Sequence, residues 1–472
     1  MSKVLLVSAN TERAPYPVSP LGLSVVATAA EERGHEVRVY DGMFMGGAAL
    51  PEILAEFEPD VVGISVRNID DVVMDDCTRY VESTWREFVE PIRRWGKATL
   101  VLGGAGFGIF PRSLMVQWGA DFGVVGEGER VFPALLDALE GGGDPALIPG
   151  VASRGGGSIE IAEPRIEGGA LEVPRARIDT HVDYSPYRAR GSYPIQTKRG
   201  CARRCVYCAY PAIEGRVYRT RTARDVVDEM VEVAARLGDI PFEFVDSTFN
   251  DPPGHAEAIC REIIARGRSF RLRTMGVNPA GVTDDLIELM RAAGFAQIDC
   301  TPDSASPRML ASLRKGFTRA KLEEAADVIA ARRMPTMWFF VLGGPGEDEE
   351  SLGETFRFID ERIDPMDLVH LTEGLRIYPG TGLHEVALDE GVVEPGDDLL
   401  DPTFYVSPIG AKRLNELVRE FTATRFNCLR SAESTPRPEM IREALEMRAL
   451  EGLEDEPMFR TLLRIRKRRS GI

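Results

Sequence analysis

Three cysteines crowd into one short loop, and this loop limits what the chain can fold into more than any other feature. Cys201, Cys205 and Cys208 have the spacing Cys-x3-Cys-x2-Cys and follow closely on the strand candidate Pro194–Lys198. Thiolates are the usual ligands of iron–sulfur clusters, and a loop this compact can wrap three of them around one cubane. Three ligands for four irons leave one iron open, so the spacing predicts a [4Fe–4S] cluster that can chelate a further ligand.

A zinc site is the main alternative for this triplet. Structural zinc usually takes four ligands, often as paired Cys-x2-Cys units. The sequence has no second pair near the loop, and His181 is remote and alone. The cysteines at 77, 260, 300 and 428 do not repeat the spacing, so no second cluster is predicted.

Around the cysteine loop, strand and helix patterns alternate with a long rhythm. The strand candidates are Pro194–Lys198, Pro241–Ser247, Arg271–Val277, Gln297–Thr301, Thr336–Leu342 and Leu368–Ile377. Six such βα units predict a partial (β/α)6 TIM-type barrel over residues 191–400, with its chemistry at the carboxyl ends of the strands. Residues 401–472 are predicted to be helical. Cys260, Cys300 and Cys428 are expected in the core, although the segment of Cys428 could instead approach the barrel mouth.

The first 145 residues have a shorter rhythm, which predicts an N-terminal doubly wound, Rossmann-like α/β domain. Its strand candidates are Val4–Ser8, Glu36–Asp41, Val61–Val66, Ala98–Gly103 and Asp121–Val125. Ligands of such sheets bind beyond the carboxyl ends of the strands. These ends carry small or glycine-rich positions, which would let a large flat ligand approach: Ser8, Asn10, Ser65, Gly103, Gly104, Gly126 and Glu127. Residues 146–190, rich in Gly and Pro, are predicted to be a linker.

The charge balance disfavours nucleic acid as a partner. The chain has 57 Lys and Arg against 74 Asp and Glu, a formal net charge of −17, and phosphate neutralisation needs the opposite sign. The basic tail around Arg464–Arg469 is interpreted as a solvated helix end. No apolar run approaches the length of a membrane span, and the amino terminus lacks signal-peptide features, so a cytoplasmic protein is expected.

Tyr207, an aromatic residue directly before the third cysteine, completes a pattern that resembles the radical S-adenosylmethionine (SAM) superfamily. A doubly wound domain ahead of such a barrel resembles its cobalamin (B12)-dependent family. Local runs agree in order over roughly residues 1–400: Pro20-Leu21-Gly22-Leu23, Gly34-His35-Glu36-Val37, Val62-Gly63-Ile64-Ser65 and Gly126-Glu127-Gly128-Glu129. The resemblance implies three cofactors, namely a [4Fe–4S] cluster, SAM and cobalamin.

The resemblance also implies where SAM binds. Asp246 follows the second barrel strand, where the family often has a Gly-Gly-Glu motif that is missing here. Asp303 and Ser304 follow the fourth strand, and Asp303 would be a shortened ribose-binding acid, with a helix N-cap as the alternative. Gly343 opens a glycine run after the fifth strand that would lie beside adenine; a simple turn is the alternative there.

The histidine expected of one class of corrinoid proteins is missing. The N-terminal domain has no Asp-x-His-x-x-Gly motif, and its one histidine, His35, is expected to be exposed in a turn. The resemblance therefore implies cobalamin bound without a protein histidine below the cobalt. A domain that has kept its shape but lost the corrinoid is the alternative.

The implied reaction is methyl transfer to a poorly nucleophilic carbon of a small molecule or peptide. One SAM would supply the methyl group through cobalamin, and a second would be cleaved at the cluster after reduction by a donor such as flavodoxin or ferredoxin. Cobalamin-dependent rearrangement or cyclisation, aminocarboxypropyl transfer without cobalamin, and a non-catalytic cluster-bearing sensor remain as alternatives.

Overall fold

The computed structural model describes residues 1–166, 168–188 and 191–470, and its strands form two mainly parallel systems joined by short ribbons. The strands are β1 (Lys3–Ser8), β2 (Glu36–Asp41), β3 (Val61–Ser65), β4 (Thr99–Gly103), β5 (Phe122–Val124), β6 (Val151–Gly155), β7 (Ser158–Ile161), β8 (Tyr193–Ile195), β9 (Lys198–Arg199), β10 (Arg219–Thr220), β11 (Pro241–Phe244), β12 (Arg271–Thr274), β13 (Ile298–Asp303), β14 (Thr336–Leu342), β15 (Leu368–Glu373), β16 (Leu375–Arg376), β17 (Phe404–Tyr405) and β18 (Cys428–Arg430).

The helices cover both faces of the first sheet and the outside of the second. They are α1 (Leu21–Glu32), α2 (Gly42–Met45), α3 (Leu50–Phe57), α4 (Tyr80–Thr84), α5 (Glu90–Trp95), α6 (Ala105–Ile109), α7 (Pro111–Trp118), α8 (Gly128–Gly141), α9 (Ile178–His181), α10 (Ser185–Arg188), α11 (Tyr210–Glu214), α12 (Ala223–Leu237), α13 (His255–Ala265), α14 (Asp284–Ala293), α15 (Pro307–Ser312), α16 (Arg319–Ala331), α17 (Glu349–Arg362), α18 (Gly382–Asp389), α19 (Ala411–Ala423), α20 (Pro438–Glu451) and α21 (Met458–Ser470).

The first sheet has the strand order β2-β1-β3-β4-β5-β6-β7, and its first five strands are parallel. Alternate residues of β1 face opposite layers: Leu5 and Val7 pack with α3 and α7, and Val4 and Leu6 pack with α1 and α8. A sheet buried on both faces by helices is the predicted doubly wound architecture, which the structure confirms. The order reverses between β1 and β3, so the ligand crevice of this sheet lies there.

The stretch predicted as a linker contains two further strands of this sheet. β6 pairs antiparallel with β5, and β7 pairs antiparallel with β6 through a turn at Gly156 and Gly157, whose φ angles are both positive, at 55° and 86°. Two consecutive positive φ angles are typical of a two-residue hairpin. The glycines that suggested a flexible connection therefore form a hairpin turn. Residues 167, 189 and 190 of the same stretch lie outside the described residues.

The second system is the partial barrel. Its parallel strands form the sets β8-β11-β12 and β13-β14-β15-β18, which short bridges at Leu272–Phe295 and Val277–Cys300 join edge to edge. All six predicted strands are present. A seventh, β18, lies in the region predicted to be helical, because three residues between helices are too few to show a period. It carries Cys428 into the core, with 1% of its surface exposed.

The amino-terminal end of the barrel is closed by the last helix. Phe459 and Leu463 of α21 pack on Leu368 and Leu429, which belong to the barrel strands β15 and β18. Access to the barrel interior therefore comes from the carboxyl ends of the strands. Among the described residues, no helix combines the length and the apolarity that crossing a membrane requires.

The two sheet systems meet through the carboxyl-end loops of the first sheet. The loops after β1, β3 and β5 and the last residue of β2 each bond to the part of the chain beyond the first sheet, in the pairs Tyr16 with Glu243, Asp41 with Tyr187, Asp70 with Arg376, and Glu127 with Arg219. Since the carboxyl end is also the ligand-binding end of such a sheet, the ligand crevice faces the barrel half.

The ion pair of Asp70 and Arg376 is the most deeply buried of these contacts. Arg376 Nε lies 2.9 Å from Asp70 Oδ2, and both side chains are 1% exposed. The other guanidinium nitrogens donate to the carbonyls of Ile377 and Leu399. Every donor thus has a partner, which is the condition under which a buried pair is tolerated.

We expect Asp70→Asn to lower the free energy of unfolding by about 3–5 kcal/mol, because it leaves a buried guanidinium without its counter-charge. Urea unfolding followed by circular dichroism measures the change. Glu56→Gln is the matched control, since Glu56 pairs with Arg38 at 2.9 Å on the surface and should cost less than about 1 kcal/mol. Equal losses in the two variants would contradict the expectation.

Candidate cofactor-binding site

The cysteine loop is fixed by backbone bonds on both sides. It leaves the barrel after β8 through the small antiparallel pair β9–β10. Cys201 N donates to Gly215 O at 3.1 Å, and Val206 N donates to Leu313 O at 3.2 Å. Gly200 has a φ of 86°, and a Cβ there would overlap the carbonyl oxygen of Val217. Glycine is therefore required before the first cysteine, and the loop has a defined path.

The three thiols of the loop are free and close enough to affect one another. Burial raises the pKa of Cys205, and burial together with the neighbouring thiols raises the pKa of Cys208 to about 12. Cys201 is 8% exposed, and none of the three forms a disulfide. A set of soft, unpaired thiols on one fixed loop fits an iron–sulfur cluster, whose binding would deprotonate them.

Tyr207 links the cysteine loop to the fourth barrel strand. Its hydroxyl donates to Asp303 Oδ2, and Lys315 Nζ lies 2.6 Å from the same oxygen. Asp303 and Lys315 side chains are each 5% exposed. Burial and the charge of Asp303 raise the pKa of Tyr207 well above its usual value, so the phenol remains a hydrogen-bond donor. The structure thus brings Asp303 close to the cysteine loop, and its contact with SAM stays a prediction.

Asp303 has an unusual backbone. Its φ is 64°, which is the left-handed region that residues other than glycine rarely adopt, and the pairing of β13 with β14 is irregular between Cys300 and Asp303. The N-cap of α15 is Ser306, so the alternative of Asp303 as a helix cap is wrong. Strain of this kind is typical of functional positions, and Lys315 stabilises it here.

Asp246 has its oxygens engaged at the start of the cysteine loop. Oδ1 accepts from the backbone N–H groups of Thr197 and Lys198 at 2.8 and 3.2 Å, and Oδ2 accepts from Thr197 Oγ1 at 2.6 Å. His255 Nε2 lies 2.8 Å from the same hydroxyl, and burial lowers the pKa of His255. Asp246 therefore orients the segment that leads into the cysteines, and its SAM contact stays a prediction.

Ser304 and Gly343 stabilise turns. Ser304 is fully buried, and its hydroxyl lies 3.1 Å from Thr355 Oγ1 and accepts from Ser306 N. Gly343 has a φ of 91°, and its N–H donates to Glu347, whose pKa burial raises to about 7. These contacts correspond to the turn alternative for the glycine run, and the ligand contacts predicted for both residues stay untested.

Glu127 contacts the barrel half of the chain. Its carboxylate pairs with Arg199 at 3.0 Å and with Arg219, while Glu129 also pairs with Arg199. Arg199 and Arg219 are the strand residues that flank the cysteine loop, and Arg199 is two residues before Cys201. Opposite charges lower the pKa of Glu127 in spite of its burial. The edge of the first sheet is thereby held against the cysteine loop.

The crevice of the first sheet contains the remaining predicted positions. Ser8, Ser65 and Gly103 end neighbouring strands in one register. Asn10 is 8% exposed, and its Nδ2 has no hydrogen-bond partner in the described part of the chain. At Gly104 a Cβ would lie 2.6 Å from the carbonyl oxygen of Val66. Small residues and a free amide donor fit a large ring that carries amide side chains, as a corrinoid does.

His35 differs from its prediction. It is 7% exposed rather than open to solvent, and it is packed against Ser2 and Glu140. It precedes β2 and therefore lies at the amino end of the sheet, opposite the ligand crevice. The physical reason for its burial is that Ser2 N donates to His35 Nδ1 at 3.3 Å. This position confirms that His35 cannot reach a ligand in the crevice.

Sequence reasoning missed several residues of the site. Lys315 carried no signal of its own in the sequence, and Arg199 and Arg219 carried none beyond their nearness to the cysteines. Tyr16 gave no signal, because its partner Glu243 is 227 residues away in the chain. Pairing over such a separation is decided by the tertiary structure.

Two family models match the chain. The B12 binding domain matches residues 7–136, and the radical SAM superfamily matches residues 195–359. The first range contains the end of β1 and all of β2 to β5, and the second contains the cysteine loop and the barrel through most of α17. The comparison therefore agrees with the two ligand-binding edges seen in the structure.

Curated relatives can be aligned with most of the chain at low sequence identity. Tryptophan 2-C-methyltransferase of Streptomyces laurentii is 27% identical over 442 residues, which cover 79% of this chain and 73% of that protein. Cytidylyl-2-hydroxyethylphosphonate methyltransferase of Streptomyces wedmorensis is 24% identical over 504 residues, covering 92% and 91%.

Solved structures share the whole architecture. The radical SAM methyltransferase TsrM from Kitasatospora setae, bound to tryptophan and a SAM analogue, has a TM-score of 0.82 at 27% identity and covers 99% of this chain and 98% of its own. The same enzyme with cobalamin and a [4Fe–4S] cluster gives 0.82 at 25% identity, over 99% of each chain. The cobalamin-dependent enzyme OxsB, at 14% identity, shares the fold with a TM-score of 0.73 over 100% of this chain and 76% of its own.

The crevice with its amide donor, the cysteine loop held against it and the two matching family models lead to one conclusion. The chain belongs to the cobalamin-dependent radical SAM family and is a radical SAM enzyme of the B12-dependent methyltransferase type.

Proposed function

We propose that the protein transfers a methyl group to a carbon atom of a small molecule, in the space between the crevice of the first sheet and the cysteine loop. The contact of Glu127 with Arg199 and Arg219 carries this proposal. It holds the corrinoid edge and the cluster loop against each other, as transfer between two bound cofactors requires.

Each cofactor has a set of residues in this proposal. Residues 1–145 bind cobalamin, and residues 191–400 bind the cluster and SAM. When bound, cobalamin would supply a carrier for a methyl group, and the cluster would supply the electron that cleaves SAM. The protein supplies position and exclusion of water. Cluster reduction requires a one-electron donor such as flavodoxin or ferredoxin.

The chain's own residues orient these groups. Cys201, Cys205 and Cys208 bind iron, while the buried Lys315 compensates the negative charge that accumulates beside them. Asp303 Oδ2 is already taken by Lys315 and Tyr207, so its Oδ1 is the oxygen left for SAM. The acceptor is a small molecule in the relatives, since tryptophan is bound in the TsrM structure; we extend that class to this chain.

Product analysis tests the reaction type. Holoenzyme given SAM, a reductant and tryptophan should form S-adenosylhomocysteine, 5′-deoxyadenosine and a methylated acceptor, all measured by mass spectrometry. Methylthioadenosine in their place would show aminocarboxypropyl transfer. A product isomeric with the acceptor would show rearrangement. Either result would overturn the proposal.

We expect Cys205→Ala to lose the cluster, because two thiolates cannot replace three at one cubane. Iron and sulfide should fall far below the roughly four atoms of each per chain that a [4Fe–4S] cluster contains, and S-adenosylhomocysteine formation should stop. Cys77→Ala, a partly exposed cysteine remote in sequence from the triplet, is the control and should keep its iron. Wild-type iron in Cys205→Ala would exclude the assigned ligand.

We expect Asn10→Ala to weaken cobalamin binding roughly fivefold, because it removes a buried donor worth about 1 kcal/mol. The measurement is the dissociation constant of hydroxocobalamin by visible absorption. Thr28→Ala is the matched control: its hydroxyl is also buried and without a partner among the described residues, but it lies on α1. Equal weakening in both variants would show that Asn10 does not contact the corrinoid.

A further inference from the structure

The interior of the barrel carries an isolated group of charged side chains. Glu243, Arg273 and Asp299 lie on three neighbouring strands, and Tyr16 enters from the loop after β1. Arg273 donates to Glu243 Oε2 at 3.0 Å, and the Tyr16 hydroxyl donates to Glu243 Oε1 at 2.8 Å. The Arg273 guanidinium also stacks on the Tyr16 ring at 4.0 Å. These four residues form what we name the interior charge layer.

The strand pattern shows that this layer faces inward. Phe242 and Phe244 flank Glu243 in β11, and both are fully buried against the helices outside the barrel. Ile298 and Cys300 flank Asp299 in the same way. Because successive side chains of a strand point to opposite faces, Glu243 and Asp299 point into the barrel. Asp299 and Arg273 are partly exposed, although helices cover the outer face of the strands that carry them. Their exposed surface therefore faces the inside of the barrel.

The charges of this layer do not balance. Two carboxylates face one guanidinium, and Arg273 is bonded to Glu243 rather than to Asp299. Among the described residues, Asp299 accepts one hydrogen bond, from Gln297 Nε2 at 3.3 Å, and Arg273 Nε has no partner. Burial raises the pKa of Asp299 to about 7, with Glu243 adding to the rise and Arg273 opposing it. A carboxylate inside the barrel without an ion-pair partner costs stability, which indicates a functional reason for it.

Among the described residues, no Lys or Arg forms an ion pair with Asp299. Arg273 acts on its charge from beyond ion-pair distance, and Glu243 and Gln297 are the other groups that act on it. His370, on the barrel strand β15, is neutral, since burial lowers its pKa to about 4, and its Nδ1 has no partner among the described residues. An ion-pair partner for Asp299 would therefore have to come from a ligand.

We propose that Asp299 binds the ammonium group of the substrate, which makes the substrate a primary amine of the amino-acid kind. This inference rests on the proposed function, because it names the substrate class for the same site. Asp246, which borders the cysteine loop, is three residues beyond Glu243, or roughly 10 Å at the usual strand rise. A small amine held at the layer can therefore extend its other end to the cofactors. Tyr16 closes the layer from the cobalamin side.

Binding of three indoles tests the proposal. L-tryptophan and tryptamine carry the ammonium group, and indole-3-propionate lacks it. With holoenzyme and calorimetry, we expect tryptophan and tryptamine to bind at least tenfold more tightly than indole-3-propionate. Asp299→Asn should weaken both amines at least tenfold and leave indole-3-propionate unchanged. Asp327→Asn, the same chemical change on exposed α16, is the matched control and should change none of the three.

Three results would overturn the proposal: no measurable binding of either amine to the wild type, an equal or higher affinity for indole-3-propionate, or an unchanged amine affinity in Asp299→Asn. The comparison of the three ligands on the wild-type protein needs no variant, so it remains valid if Asp299→Asn fails to fold. Cobalamin retention and S-adenosylhomocysteine formation are measured on the same samples. Their loss would contradict the proposed function, whereas their presence without selective amine binding would contradict this inference alone.

Discussion

The carboxyl ends of the strands in the first sheet face the carboxyl ends of the barrel strands, and the rest of the structure depends on this arrangement. Each edge binds ligands by itself, since the ends of parallel strands leave loops and backbone groups open. Here the carboxyl ends of four strands of the first sheet, or the loops after them, bond to the part of the chain beyond that sheet. The two ends at which ligands are expected therefore face each other.

This junction is held by charges that are costly to bury. Asp70 with Arg376, and Glu127 with Arg199 and Arg219, lie at positions with little solvent. Apolar residues could contribute as much stability in such places. Ion pairs, however, require one geometry and one partner, and a fixed geometry is what two cofactors need. Asp299, in contrast, has no ion-pair partner among the described residues, and for this reason we propose that it binds the ammonium group of the substrate.

Local strain marks the same region. Gly200 adopts a positive φ before the first cysteine. Asp303 adopts one at the end of β13, where Tyr207 and Lys315 bind its carboxylate. Glycine tolerates such a backbone without cost, whereas an aspartate needs compensation from its surroundings. The bonds that hold Asp303 are therefore part of how the site is built.

The sequence by itself determined the elements and the chemistry of the cysteine loop. Alternating apolar runs predicted both sheets, because burial on two faces leaves a continuous apolar pattern in each strand. The spacing of three cysteines predicted the cluster, because its ligands lie within one loop. The sequence did not predict the hairpin β6–β7 or the strand β18, since a glycine pair and a three-residue strand carry too little local signal.

Only the tertiary structure decided which residues meet across the junction. Tyr16 and Glu243 are 227 residues apart, and Asp70 and Arg376 are 306 apart. Neither pair has a pattern that a single sequence reveals, because docking of the two sheets brings them together. Asp299 is a second example. The sequence shows that the residue is an aspartate, but only the packing of the neighbouring strands shows that it has no ion-pair partner among the described residues.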